Sequence, residues 1–181
     1  MKIRIISGTY KGRYINVPAS DKVRPTTDRV RETLFNILNN QIDFDGIRIL
    51  DLYAGSGALG IEALSRGASE AYFIEKSHSF AGNLKENLSS LGITEKAKVF
   101  NMEAAAFIRK ELPVKFDLLF ADPPYKYSEL YTMINTSSFN HLFHESSIKV
   151  FERAADTIKE DTKAFGMAPA RVLGNTCLYI F

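Results

Sequence analysis

Asp51-Leu-Tyr-Ala-Gly55-Ser-Gly57-Ala-Leu-Gly60 is the stretch that decides the fold. It emerges from Ile47-Arg-Ile-Leu-Asp-Leu-Tyr53, whose apolar run predicts a strand, and runs into a helix from Leu59 to Arg66 that Gly67 stops. Glycines allow a sharp turn and let the backbone come close to a ligand, while the helix start behind them offers free amides. The same alternation continues downstream. Ala71–Glu75 predicts a second strand. Ser77 caps a helix carrying Phe80, Leu84, Leu88 and Leu91 at helical spacing, and Gly92 ends it. Ala97–Asn101 is a third strand, Ala104–Leu112 a helix, and Phe116–Ala121 a fourth strand. A helix from Ser128, a strand over Ile148–Glu152 and a terminal hairpin (Arg171–Leu173, Thr176–Phe181) complete the pattern. Residues 156–169 are polar and aperiodic and read as either a loop or a helix. Strand–helix alternation of this kind predicts an α/β, Rossmann-like domain with a parallel sheet and helices on both faces.

Upstream of the loop, residues 1–22 read as an extension made of two short strands, Ile3-Arg-Ile-Ile and Arg13-Tyr-Ile-Asn-Val, with Gly8 and Gly12 at the turn. Arg24-Pro-Thr-Thr-Asp28 then reads as a helix start, with Thr27 or Asp28 as cap. The helix beyond, Arg29 to Asn39, sets Val30, Leu34, Ile37 and Leu38 on one face.

With 181 residues, 45% of them hydrophobic and 24% charged, the chain has the composition of one ordinary globular domain rather than a disordered one. The lone Cys177 excludes an internal disulfide and a cysteine metal cluster. No apolar stretch approaches the ~20 residues of a membrane span, so a cytoplasmic protein with no membrane partner is expected. The net charge of +2 conceals an asymmetry: residues 1–31 hold eight basic side chains against two acidic ones. Lys2, Arg4, Lys11, Arg13, Arg24, Arg29 and Arg31 therefore make a candidate nucleic-acid arm, with a solvated hairpin surface as the alternative.

Ligands of such sheets bind at the carboxyl ends of the strands. Glu75, twenty residues past Gly55, is placed to accept from ribose hydroxyls, which suits dinucleotides as well as other nucleosides. Asp51 discriminates among them. A carboxylate four residues before the first glycine repels a pyrophosphate but attracts the sulfonium and ammonium of S-adenosylmethionine. The third strand end to carry chemistry is Asp122-Pro-Pro-Tyr125. Asp122 and the Pro123 carbonyl can accept from one amino group, and Tyr125 offers a face for a flat base. Two acceptors favour a pyramidal nitrogen and stabilise the positive charge that grows as a methyl group arrives.

With these residues in order, the chain resembles the bacterial methyltransferases that modify guanine N2 in small-subunit (16S) ribosomal RNA. The resemblance runs through Ile5-Ile-Ser-Gly, Lys11-Gly-Arg, Arg24-Pro-Thr-Thr-Asp-Arg-Val-Arg-Glu-Thr-Leu-Phe-Asn36, the glycine loop as far as Arg66, and Asp122-Pro-Pro-Tyr125. It implies a seven-stranded S-adenosylmethionine-dependent methyltransferase fold, a single domain over 1–181 with the basic hairpin as an N-terminal extension. It implies cofactor contacts from Thr26, from Asp51, Tyr53, Ala54, Gly55, Ser56 and Gly57, from Glu75 and Lys76, and from Asp122. It implies Asp122, Pro123 and Tyr125 as catalytic residues. The family's Asp or Asn after the third strand is represented by Asn101-Met-Glu103-Ala104, so Glu103 and Ala104 are the expected adenine contacts. Ribosomal RNA or an assembling small subunit is the implied partner, and a monomer without metal is expected.

The remaining candidates have ordinary readings. His141 and His144 lack a third ligand nearby, and His78 reads as helix surface. Lys85-Glu86 and Lys159-Glu160-Asp161 read as solvated faces, while Tyr10 and Tyr14 suit either strand packing or base stacking. Competing functions are amino-methylation of DNA or another RNA, a dinucleotide-binding protein, and a non-catalytic RNA-binding module. DNA methylation wants a separate base-reading domain for which 181 residues leave no room, and Asp51 and Asp122 oppose a dinucleotide-binding protein.

Overall fold

Two short strands open the chain. β1 (Lys2–Arg4) and β2 (Tyr14–Asn16) pair antiparallel, with Lys2 opposite Asn16 and Arg4 opposite Tyr14. The computed structural model describes residues 1–18, 28–123 and 129–181. α1 (Asp28–Leu38) follows, then β3 (Arg48–Asp51), α2 (Ala58–Arg66), β4 (Glu70–Ile74), α3 (His78–Leu91), β5 (Ala97–Phe100) and α4 (Ala104–Ile108). β6 (Phe116–Ala121), α5 (Glu129–Ile134), α6 (Ser137–His141), β7 (Phe143–Ala154), α7 (Ile158–Phe165), β8 (Arg171–Leu173) and β9 (Thr176–Ile180) complete it.

β3 to β9 form one seven-stranded sheet in the order β5-β4-β3-β6-β7-β9-β8. The first five of these are parallel, and β9 runs antiparallel to both β7 and β8. Strand order reverses between β3 and β6, which opens a crevice at their carboxyl ends. Side chains alternate across the sheet into two apolar layers. Phe73 and Phe120 pack with the hairpin residues Ile3, Ile5 and Ile15 and with α1, α2 and α3. Leu50, Leu119, Phe151 and Tyr179 pack with Phe107, Leu130 and Phe139 on the opposite face.

Several predicted elements shift. The strand predicted over Ile148–Glu152 is twelve residues long, because it begins at Phe143 beside Phe116 and a register shift lets it resume at Ile148 beside Leu118. α4 stops at Ile108, four residues before the predicted Leu112. Asp28 lies inside α1 and accepts from Arg31 at 2.7 Å, and the alternative cap Thr27 lies outside the described residues. The ambiguous polar stretch contains a helix, α7, capped by Gly166. Lys159 and Glu160 on it are exposed, but Asp161 is fully buried, which corrects its reading as a solvated charge. Asp161 accepts from Arg153 Nε at 2.9 Å and from the hydroxyls of Tyr131 and Thr157, each at 2.6 Å. A buried charge with that many donors is compensated. Among the described residues, no helix is long and apolar enough to cross a membrane.

The hairpin is part of the main body. Glu62 on α2 is fully buried and accepts the amides of Ile6 at 2.8 Å and Ser7 at 3.0 Å. Thr9 donates its amide to the Ser65 carbonyl at 2.7 Å, so the turn lies directly on the helix. Gly8 takes φ +80°, and a Cβ there would stand 1.7 Å from that carbonyl oxygen. Gly8→Ala is therefore expected to cost ~2 kcal/mol or more, through left-handed strain plus undocking of the turn. Thermal denaturation measures it; a change below ~0.5 kcal/mol would show that the turn does not depend on this approach.

Candidate active site at the carboxyl ends of the strands

The glycine loop sits where β3 hands over to α2. Gly57 takes φ +81°, and a Cβ on it would meet Leu84 at 2.3 Å, so neither the backbone nor the space admits a side chain. Gly57 donates to the Ala54 carbonyl at 2.7 Å, and Ala54 donates to the Ile74 carbonyl at 3.0 Å, which stitches the loop to β4. Ala54 and Ser56 are buried, whereas a Cβ on Gly55 would enter open space. The loop thus presents bare backbone outward at Gly55, the surface a flat or extended ligand needs.

Glu75 closes the loop from the next strand. Its Oε2 accepts the Gly55 amide at 2.9 Å and its Oε1 accepts the Ser77 amide at 2.7 Å, at the start of α3. One carboxylate therefore fixes both the glycine loop and the Ser77-capped helix start. Lys76 beside it is exposed, and Tyr53 is half-buried.

Asp51, the last residue of β3, is buried and accepts the Gly60 amide at 3.2 Å. Loss of hydration pushes its carboxyl up from the usual 3.8 to about 7. The neighbouring charge of Glu75 pushes the same way, and the amides of Gly60 and Tyr53 oppose. Asp122 directly follows β6, with Pro123 buried behind it. Its carboxyl is also held well above the ordinary range, by loss of hydration first and then by Glu152 and Asp51, with Arg153 opposing. Ala121 pairs with Phe151, so Asp122 and Glu152 are the next residues along adjacent strands β6 and β7. Three neighbouring strands thus bring acids to one end of the sheet. Sequence reasoning missed Glu152, although its signal is there: like Asp51 and Asp122, it is an acid terminating an apolar strand run.

The carboxyl end of β5 lies beside the Glu75 loop. Asn101 donates to the carbonyls of Glu75 at 2.9 Å and Lys76 at 3.0 Å, and its Oδ1 meets His78 Nδ1 at 3.2 Å. It shapes the floor beside Glu75 rather than standing free. Glu103 is exposed at the N-cap of α4, with its side chain off the helix amides, and Ala104 is buried behind it. Thr26, Arg24 and Tyr125 lie outside the described residues.

The basic arm divides. Lys2, Arg4, Lys11 and Arg29 are exposed. Arg13 is exposed too but bonds the carbonyls of Ser90 and Leu91 at the end of α3, where a cation suits the helix dipole. Arg31 is 1% exposed, which corrects its reading as an RNA contact. It donates to the Arg4 carbonyl at 2.8 Å and lies 4.0 Å from Glu62, so its charge is spent inside the fold. Counting charge along the chain cannot separate a buried arginine from a surface one. Tyr10 packs partly against the core, while Tyr14 is 58% exposed on the same outer face as Arg4.

A seven-stranded sheet of this order, a glycine loop at its first crossover and acids at the neighbouring strand ends define an S-adenosylmethionine-dependent methyltransferase. The chain belongs to the family described as "Conserved hypothetical protein 95", whose model matches residues 3–181. It is 35% identical to the putative rRNA methyltransferase YlbH of Bacillus subtilis over 91% of this chain and 95% of that protein. It is 44% identical to the ribosomal RNA small subunit methyltransferase D of Escherichia coli K12, over 74% of this chain and 66% of that protein. Among solved structures it is similar to the putative methyltransferase yhhF from Escherichia coli, with a TM-score of 0.81 and 33% identity over 99% and 97% of the two chains.

The raised carboxyl of Asp51 makes a stability prediction with a definite sign. The folded chain keeps a proton on Asp51 up to about pH 7, whereas the unfolded chain releases it near 3.8, so stability is lost as pH rises through that window. Within the window, each step of one in pH removes about 1.4 kcal/mol. Asp51→Asn keeps an acceptor for Gly60 and removes the charge. The cofactor-free variant is expected to melt above the parent at pH 8 and to converge with it near pH 4. Parallel melting curves across that range would show that Asp51 is ionised without cost.

Proposed function

We propose that the protein transfers the methyl group of S-adenosylmethionine to the exocyclic N2 amine of a guanine in 16S ribosomal RNA, working in the cytoplasm as a monomeric single domain. The observation that carries this reading is the position of Asp122-Pro123: at the carboxyl end of β6, next to the strand that feeds the glycine loop, among acids crowded at one end of the sheet. The names of the Bacillus subtilis and Escherichia coli relatives support ribosomal RNA as the substrate.

The residues present fit the donor. Gly55 presents open backbone, Glu75 and Asp51 border it, and Glu103 stands at the next strand end. Tyr53, Ala54, Ser56, Gly57, Lys76, Ala104 and Thr26 complete the proposed cofactor set. When bound, S-adenosylmethionine supplies an electrophilic methyl group on a positively charged sulfur. A cation beside Asp51 and Asp122 favours their ionised forms, which their present surroundings disfavour. A pyrophosphate at the same place would be repelled by Asp51 in its ionised form.

Asp122 and the Pro123 carbonyl then hold the two hydrogens of the guanine amine, and Tyr125 supports the flipped base. Holding both hydrogens turns the nitrogen lone pair away from the ring and toward the methyl carbon. Positive charge developing on that nitrogen would lie within reach of Asp122, which would accept the surplus proton. Lys2, Arg4, Lys11, Arg24 and Arg29 engage phosphates, with Arg13 at the edge of the same surface. Asp122→Ala is expected to lower single-turnover methyl transfer to 16S RNA by ~10²–10³ at saturating cofactor, with RNA affinity nearly unchanged. Transfer at the parental rate would remove Asp122 from the chemistry and the reading with it.

A further inference from the structure

The hairpin and the glycine loop are joined through one buried amide side chain. Asn87, on α3, is 1% exposed. Its Oδ1 accepts the Asn16 amide at 2.8 Å and its Nδ2 donates to the Asn16 carbonyl at 2.9 Å, so it occupies both backbone groups at the end of β2 as a further strand would. The same Nδ2 lies 3.4 Å from the Ser56 carbonyl, the residue between Gly55 and Gly57. Asn83, one turn earlier on α3, steadies the amide by accepting at 3.3 Å. The other side of the hairpin is fixed with equal economy. Glu62 holds the amides of Ile6 and Ser7 and pairs with Arg66 at 2.8 Å, and Ser65 Oγ accepts the Tyr10 amide at 3.0 Å.

We propose that Asn87 is a positioning residue for methyl transfer: it fixes the spacing between the hairpin that carries the RNA and the loop that carries the methyl donor. The proposal rests on the reading of the hairpin as an RNA-binding arm. Neither ligand needs Asn87 in order to bind, since the exposed cations of the arm lie on the outer face of the hairpin and the open backbone of the loop is at Gly55. Reaction does need it. The base is held by Asp122 but delivered by an RNA gripped elsewhere, and a small misplacement between the two grips costs a disproportionate part of the rate. An amide suits this task because it bonds a strand's donor and acceptor together and keeps a second N–H for a neighbour. No other uncharged side chain except glutamine offers that set, and glutamine is one methylene too long.

The test uses the full chain, S-adenosylmethionine and an RNA taken from the small subunit, with Asn87→Leu as the variant because leucine fills nearly the same volume. Cofactor affinity by calorimetry and RNA affinity by filter binding are expected within about threefold of the parent. The single-turnover rate with both saturating is expected to fall at least about tenfold. Asn87→Ser retains one hydrogen-bonding group, is expected to fall in between, and stands in if the leucine variant does not fold. An unchanged rate overturns the proposal. So does a proportionate loss in all three measurements, which would mark Asn87 as an ordinary packing residue. Failure of the underlying reading shows itself separately, in Lys2→Gln, Arg4→Gln and Lys11→Gln combined. If the salt dependence of RNA binding keeps its parental slope in that variant, the arm does not grip phosphates and the proposal falls with it.

Discussion

Loss of hydration at the acids that end β3 and β6, reinforced by the acids around them, is the constraint around which the site is arranged. Parallel strands 4.7–4.9 Å apart force side chains at matching levels into close company. In this chain Asp122 and Glu152 follow a matched pair on β6 and β7, while Asp51 on β3 stands level with Phe120, two residues before Asp122. Burial removes the water that would otherwise screen them, and Arg153, the cation that opposes the effect at Asp122, is also committed to Asp161 at 2.9 Å. Asp51 and Asp122 are left uneasy as anions. A cationic ligand at this end of the sheet would relieve this and an anionic one would aggravate it, which supports the proposed class of cofactor.

The loop that presents the ligand's backbone surface is held by the same economy of charge. Glu75 uses its two oxygens to tie the Gly55 amide to the start of α3, and Asp51 anchors the first turn of α2 through Gly60. Both helices then receive the hairpin, α2 through Glu62 and Ser65 and α3 through Asn87. Glu62 is fully buried and shared between backbone amides and two arginines, an arrangement in which removing one partner strands the rest. The result is a continuous body from the outer face of the hairpin to the crevice.

Legibility in the sequence followed periodicity. The strand–helix alternation, the glycine loop, the Ser77 cap and the Gly92 stop are local signals, and each formed within a residue or two of its expected place. The position of Asp122 just after β6 was legible for the same reason, and family resemblance added the chemistry. What depended on tertiary contact was not legible. Arg31 counted as one more cation of a basic arm, and only packing of α1 against α2 and β1 turned it inward. Asp161 sat in a polar run without period, and its burial required a partner on β7 eight residues earlier in the chain. Asn87 carried no motif at all, since its role is defined by a hairpin seventy-one residues away.

The central claim is tested most directly by the product. Purified protein, S-adenosylmethionine labelled in its methyl group and small-subunit RNA or particles lacking the modification are incubated together, and the RNA is digested to nucleosides and resolved by mass. If Asp122 and Pro123 receive a guanine amine, the label appears as N2-methylguanosine, at one nucleotide of the 16S RNA. Label in a methylated adenosine or cytidine, on a ribose, or in no nucleoside would contradict it.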